Sequence, residues 1–227
     1  MLGAGRRRLS GLGTTDRSWS QCGEDRIAAF VLEQMGITRP LYLDLGAHHP
    51  TRLSNTYLFY RLGARGVLVE ANPALHARLR RKRPKDTCLN LAVATQDGTV
   101  SLHVMDASTL STTSAEDARS YHGHGHEVLR TVEVPALSPA SLLARHLPRT
   151  PDLVSLDVEG LDLEIVQAWP FGAHRPAVFV IETLEYTRDH DERKLTEIGD
   201  VMADHGYLAY ADTHINTVFV DEAAYRR

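Results

Sequence analysis

LYLDLGAHHP at residues 41–50 and GVLVEANP at residues 66–73 decide how this chain folds. The first is an apolar run ending in Asp44-Leu45-Gly46-Ala47, and the second ends at Glu70. Short apolar runs bounded by turn residues read as strands buried on both faces, the pattern of a parallel sheet. Between them, Ser54 and Asn55 cap a helix running to Leu62 and closed by Gly63. Glu70 follows Gly46 by 24 positions. An acid about 20 residues past a glycine turn is how α/β nucleotide sites set a carboxylate on a ribose.

The same alternation continues in both directions. Upstream, Ile27, Phe30, Val31 and Met35 recur at helical spacing between Glu24 and Met35, with Gly36 as the stop. Asn72 and Pro73 open a helix with Leu75 and Leu79 on its buried stripe. Leu89 to Ala94 reads as a third strand, and Val100 to Val104 as a strand pairing antiparallel or lying at an edge. Residues 105–130 are rich in Ser, Thr, His and Gly without clear periodicity, which predicts an acceptor-site loop or lid. A helix over about Ser138 to His146 follows. A strand from Asp152 to Asp157, a helix from Leu161 to Trp169 and a strand from Ala177 to Ile181 come next. Asp191 to His205 reads as a helix, and Tyr207 to Ala211 with Thr217 to Val220 as a closing antiparallel pair. Strands alternating with helices imply an α/β fold with a mostly parallel sheet. Residues 1–17 are expected to form a flexible segment ahead of one domain over 18–227.

The chain has 227 residues, 43% of them hydrophobic and 24% charged, enough for one sizeable core. A net charge of −4 speaks against nucleic acid as a partner. The run Arg78, Arg80, Arg81, Lys82, Arg83 and Lys85 reads as a solvated helix face. Cys22 and Cys88 form no CxxC pair, which suits a reduced, cytoplasmic protein. No run is apolar and long enough to predict a membrane span. The composition leaves a homo-oligomer open.

Three acids fall at or just after strand C-ends: Glu70, Asp157 and Glu182. Ligands of open α/β sheets bind outside those ends. The turn after residue 45 lacks the further glycines that let a backbone approach a pyrophosphate, which argues against a dinucleotide and an NAD-linked oxidoreductase. The site is built for a nucleoside without a phosphate bridge, and S-adenosylmethionine is the common cofactor of that shape. Glu70 would take both ribose hydroxyls. Ala71 and Asn72 would lie against adenine, Gly46 would admit the ligand closely, and Asp44 would orient the tail amine or the loop amides. Asp157 is the first candidate to orient or deprotonate an acceptor hydroxyl, with Glu159 and His49 behind it. In an alternative reading, Asp157 and Glu182 hold a divalent cation such as Mg²⁺ that lowers the hydroxyl pKa. The HGHGH run at residues 122–126 reads as a polar lid, with metal binding as the rival.

Taken in order, SQCGED (20–25), YLDLGAHHP (42–50), SNTY (54–57), GVLVEANP (66–73), VSLDVEGLDLEIVQ (154–167) and VIET (180–183) resemble the FkbM family of S-adenosylmethionine-dependent methyltransferases. The resemblance implies a Rossmann-like class I methyltransferase with a seven-stranded, mostly parallel sheet, helices on both faces, and one antiparallel strand. It implies O-methylation of a small-molecule hydroxyl acceptor, such as a natural product or a sugar. By position, Gly46, Glu70 and Asn72 would be cofactor residues, and Gln21 and Asn55 would reach the methionine tail. The motif at 157–160 would border the active site. A non-catalytic binding module on the same sheet is the remaining rival.

Overall fold

The computed structural model describes residues 17–158, 160–186 and 192–227. The expected N-terminal segment up to Arg17, the candidate Glu159 and the start of the helix expected from Asp191 fall largely outside that set. Seven strands form the main sheet: β1 (Leu41–Leu45), β2 (Arg65–Val69), β3 (Thr87–Leu89), β4 (Leu153–Leu156), β5 (Val178–Glu182), β6 (Tyr207–Asp212) and β7 (Asn216–Asp221). Their spatial order is β3-β2-β1-β4-β5-β7-β6. β7 runs antiparallel to both of its neighbours, and every other pairing is parallel. This is the expected sheet with six strands in one direction and one reversed.

Alternate side chains along each strand enter opposite faces. Leu43, Leu45, Val67, Val69, Val154, Leu156, Phe179 and Ile181 form one core cluster with Leu142 and Leu143 of helix Pro139–His146. Helices Asp162–Gln167 and Thr196–Asp204 complete that layer through Ile165, Val166, Ile198 and Met202. Tyr42, Leu68, Leu153, Val178 and Val180 pack on the other side against helices Glu24–Gln34, Tyr57–Arg61 and Pro73–Lys82. The chain winds outward from β1 to β3, then restarts at β4 on the other side of β1. The β1/β4 boundary is therefore the switch point where such sheets open a ligand crevice.

Several local expectations are corrected. The third strand is split: Thr87–Leu89 pairs with β2, whereas Ala92–Val93 joins a separate three-stranded sheet. Between them, the Asn90 amide donates to the carbonyls of Glu70 and Ala71 at 2.9 Å each, drawing the chain away from the main sheet. In the small sheet, Gly98–Met105 pairs antiparallel with Val128–Leu137. The segment read as an irregular loop holds a short 3₁₀ turn at Ser108–Leu110 and a helix at Ala115–Gly123. The helix expected over Asp191 to His205 is preceded by a short strand, Glu192–Lys194, paired antiparallel with Leu184–Tyr186. No helix among the described residues is long and apolar enough to cross a membrane.

The basic run is not uniformly solvated. Arg80, Arg81 and Lys82 are exposed, but Arg83 is completely buried. Its Nε donates to Asp86 at 2.7 Å, Nη1 to the Pro50 carbonyl at 3.2 Å, and Nη2 to Tyr42 Oη at 3.1 Å and Thr56 Oγ1 at 3.3 Å. The guanidinium also lies over the rings of Tyr42, Tyr57 and Tyr60. Removing one member of a buried ion pair strands the other, at a cost of about 3–5 kcal/mol. Arg83→Met should lower unfolding stability by about that amount in urea titrations, whereas Arg81→Met should stay within about 0.5 kcal/mol of wild type. Equal effects of the two substitutions would contradict this assignment of Arg83.

Candidate active site

A cavity of about 360 Å³ opens at the carboxyl edge of the sheet, over the switch point. Glu70, one residue beyond β2, forms one side. It is 8% exposed, and both of its oxygens are already engaged. Oε2 accepts the His48 amide at 2.8 Å and Oε1 the Asn72 amide at 2.7 Å. Each oxygen keeps a second acceptor position, so two ribose hydroxyls remain compatible with this arrangement. His48 reaches Glu70 from a left-handed backbone, with φ of 41°. Asn72 has a second task, because its side chain caps helix Pro73–Lys82 by accepting the Ala74 amide at 3.0 Å. Ala71 and Asn72 both line the cavity beside Leu75, Leu91 and Val93, an apolar slot of the kind an adenine ring occupies.

Gly46 lines the cavity too, but its lack of a side chain serves a different contact from the one expected. Its φ is 80°, and a Cβ there would sit 1.7 Å from the Asp157 carbonyl oxygen. The glycine therefore lets the β1 turn press against the end of β4. Asp157 and Glu182 stand on that side, at the ends of β4 and β5, half-buried and both facing the cavity. Burial pushes the Asp157 carboxyl upward, and a hydrogen bond from Glu182 pulls it back. Among the described residues no group of three or more His, Cys, Asp or Glu side chains is placed to hold a metal, so nothing in that set supports the divalent cation expected at Asp157 and Glu182.

The other sequence candidates are distributed as follows. Gln21 lines the cavity rim. Its segment is fastened by two fully buried acids of the SQCGED motif. Glu24 accepts the Cys22 amide, Thr213 Oγ1 and Asn216 Nδ2, and Asp25 accepts the Trp19 amide and the hydroxyls of Ser18 and Ser20. Asp44 and Asn55 lie behind the wall. Asp44 accepts the Thr56 hydroxyl, and Asn55 Nδ2 donates to Ser155 Oγ at 3.1 Å. His49 is turned away from the cavity, and its Nδ1 accepts the amides of Thr51 and Arg52, closing a local turn. The left-handed backbone at His48 turns the two adjacent side chains apart, so His48 and not His49 lines the cavity.

Sequence reasoning missed Asn90, which shapes the Glu70 turn, and Asp162, a buried acid accepting the Val158 amide at 3.1 Å. It also missed the cavity-facing hydroxyls Thr109, Ser111 and Thr113, whose alternation along STLSTT was the available signal. The three histidines of HGHGH are held locally: His122 on the His126 carbonyl, His124 on the Ser120 carbonyl, and His126 on Asp106.

The chain matches the methyltransferase FkbM domain over residues 44–209. It belongs to the FkbM methyltransferase family. The matched span of this FkbM protein runs from Asp44 into β6 and includes every cavity acid. No curated protein matches the chain. Among solved structures, an O-methyltransferase from Bacillus cereus in complex with SAH aligns with a TM-score of 0.45 and 11% identity, covering 91% of this chain and 84% of that one. Precorrin-6y C5,15-methyltransferase from Geobacter metallireducens gives 0.41 and 16%, covering 86% of each chain. Ribosomal protein L11 methylase from Lactobacillus delbrueckii gives 0.44 and 9%, covering 86% and 75%.

The crowding of acids has a consequence for stability. Burial raises Glu70 to about 7, with Asp44 and Asp157 adding repulsion against the partial relief from its two amides. Burial likewise raises Asp44 to about 6 and Asp162 to about 7. Unfolded, such acids titrate near about 4. Between these limits the folded state binds more protons, so stability is fullest below pH of about 4 and is lost as pH rises through about 7. The contribution of these acids to the unfolding free energy, measured by urea titration, should therefore decline between about pH 4 and 7. Glu70→Gln should remove up to about 1.4 kcal/mol per pH unit of that slope. An unchanged slope in the variant would show that Glu70 ionises normally in the folded protein.

Proposed function

We propose that this FkbM methyltransferase is an S-adenosylmethionine-dependent O-methyltransferase acting on the hydroxyl of a small molecule, a natural product or a sugar. The carrying observation is the split of acids around one cavity: Glu70 on the β2 side, and the Asp157–Glu182 pair on the β4/β5 side. The residues present fit the cofactor. A cavity of about 360 Å³ lies within the range of small-molecule and cofactor sites, roughly 300–1,000 Å³. Glu70 offers the ribose two fixed oxygens, the slot of Ala71, Leu75, Leu91 and Val93 suits a flat base, and Gln21 stands at the rim for the tail.

S-adenosylmethionine, when bound, supplies an electrophilic methyl on a sulfonium. The chain's own contribution is position and proton handling. Asp157 and Glu182 receive the acceptor hydroxyl at the far side of the cavity and aim its oxygen at the methyl. With the cofactor bound, this carboxyl pair would take the proton that the acceptor hydroxyl gives up as its oxygen gains the methyl. A carboxyl raised by burial is a better base near neutrality than a solvated one. Leu53, Leu102, Val158 and Leu161 supply apolar walls that keep water from competing for the methyl. Cys22 and Cys88 are both free thiols, which supports work in the reducing cytoplasm.

Glu70→Ala should weaken S-adenosylmethionine binding about 10- to 100-fold in calorimetry, because hydrogen bonds to a charged group contribute about 1.5–3 kcal/mol each. Asp157→Asn should leave that affinity within a few-fold while lowering turnover about 10²- to 10⁴-fold. Turnover would be followed as transfer of labelled methyl into an extract of the source organism. Undiminished cofactor binding in Glu70→Ala would refute the cofactor assignment.

A further inference from the structure

Three non-glycine residues among those described hold a left-handed backbone: His48, Leu53 and His214, with φ of 41°, 53° and 76°. An L side chain there crowds its own carbonyl, so such residues persist only where contacts fix them. Two of the three make a bond to a carboxylate from that backbone. The His48 amide donates to Glu70 Oε2 at 2.8 Å, and the His214 amide to Asp212 Oδ1 at 2.8 Å. Histidine also tolerates this region better than bulky apolar residues do. Leu53 is the most disfavoured of the three, and it is imposed from either side. The Arg52 amide donates to His49 Nδ1 at 2.9 Å, and the Ser54 amide to the Trp19 carbonyl at 2.9 Å. The group that these contacts hold in place is an isobutyl side chain that lines the cavity and is 56% exposed. Burial would offset the strain of a core leucine, but it offsets little of it here.

Leu53 therefore weakens the fold twice, through its backbone and through its exposure. Local rules are broken in this way most often where function requires the placement. The contacts of the loop identify the ligand that it serves. At one end of the loop, His48 holds the Glu70 carboxylate assigned to the ribose. At the other, Ser54 binds Trp19, two positions ahead of Gln21, the rim residue assigned to the methionine tail. Leu53 stands beside that second anchor. Its side chain falls along the stretch between ribose and tail, where the cofactor is a chain of methylene groups and sulfur. Packing on that chain would bury the exposed carbon of Leu53 and so stabilise the complex.

We propose that Leu53 is an apolar clamp for the cofactor: its side chain, held out by a strained backbone, packs on the methionine arm of S-adenosylmethionine and loses its exposure to water on binding. This rests on the methyl-transfer reading above. The probe is S-adenosylhomocysteine, which carries the same arm. Leu53→Gly removes the side chain and the strain together, because glycine adopts positive φ freely. Its thermal midpoint should equal that of wild type or exceed it by about 2 °C. Its calorimetric affinity for S-adenosylhomocysteine should fall about 10-fold, the effect of about 1.4 kcal/mol. The heat-capacity change of binding should become less negative, since less apolar surface is covered. Leu53→Ala should lose the same affinity without a gain in midpoint. Leu53→Met keeps an apolar side chain of similar volume and should bind within about 3-fold of wild type. Wild-type affinity in Leu53→Gly, or a methionine variant as weak as the glycine one, would overturn the clamp. A midpoint that falls together with affinity in Leu53→Gly would also overturn it, by making Leu53 an ordinary structural residue. Failure of wild type to bind S-adenosylhomocysteine at all would instead remove the methyl-transfer reading beneath it.

Discussion

The buried guanidinium of Arg83 is the interaction on which the carboxyl edge of this fold depends. It reaches from the end of helix Pro73–Lys82 under the β1–β2 connection and binds the Pro50 carbonyl, Thr56, Tyr42 and Asp86. Each contact governs a different part of the architecture. Asp86 also accepts the Gly66 amide and the Tyr42 hydroxyl, tying β2 to β1. Gly66 is required there, because a Cβ would meet the Tyr42 ring and carbonyl at 2.1–2.4 Å. Thr56 passes its hydroxyl to Asp44, so a buried acid of β1 is held within reach of a positive charge. The Pro50 carbonyl anchors a loop whose flanks, His48 and Leu53, both sit in the left-handed region at φ of 41° and 53°. Non-glycine residues hold such conformations only when their surroundings fix them. The loop is thus held in the conformation that aims the His48 amide at Glu70.

The same edge concentrates acids to a degree that works against stability. Glu70, Asp44, Asp157 and Asp162 are all shifted upward, first by burial and, for most of them, further by one another. A sequence chosen for stability alone would not place four carboxyls there, and local rules are broken most often where function requires it. The compensation is visible in the hydrogen bonding. Glu70 has two backbone amides, Asp162 has the Val158 amide, and Asp44 has a hydroxyl. These contacts hold the acids in place while burial still moves their titration upward.

How much of this was legible in the residues follows from how local each feature is. The central strands were readable because they are buried on both faces and appear as apolar runs, with all residues of β4 and β7 buried. Glu70, Asp157 and Glu182 were readable as acids at strand ends, since the sheet itself carries them to one edge. Arg83 was not, because six basic residues within eight positions hide which one turns inward. That is decided by Tyr42, Pro50 and Thr56, which are distant in sequence. Helix Ala115–Gly123 was invisible to periodicity because Ala118 is its one core-buried apolar residue. The split of the third strand turns on the Asn90 side chain, a tertiary contact that strand propensity cannot register. Between His48 and His49 the sequence offers no preference, and the positive φ at His48 makes the choice.

The two halves of the cavity differ in how firmly they are built. Glu70, Gly46, Asp157 and Glu182 stand at the ends of strands embedded in the two large cores on either face of the sheet. Leu102, Thr109, Leu110, Ser111 and Thr113 belong to the small sheet and its excursion, whose own core is confined to Ala92, Leu102, Val104, Val134 and Ala136. A unit with so few buried contacts opens locally at far lower free energy than the main sheet. Binding a constant cofactor calls for rigid, pre-placed groups, because every degree of freedom lost on binding weakens affinity. Admitting and releasing an acceptor calls for the opposite. The cavity is thus divided between a deeply cored edge, which carries Glu70, Asp157 and Glu182, and a thinly cored excursion that completes its lining.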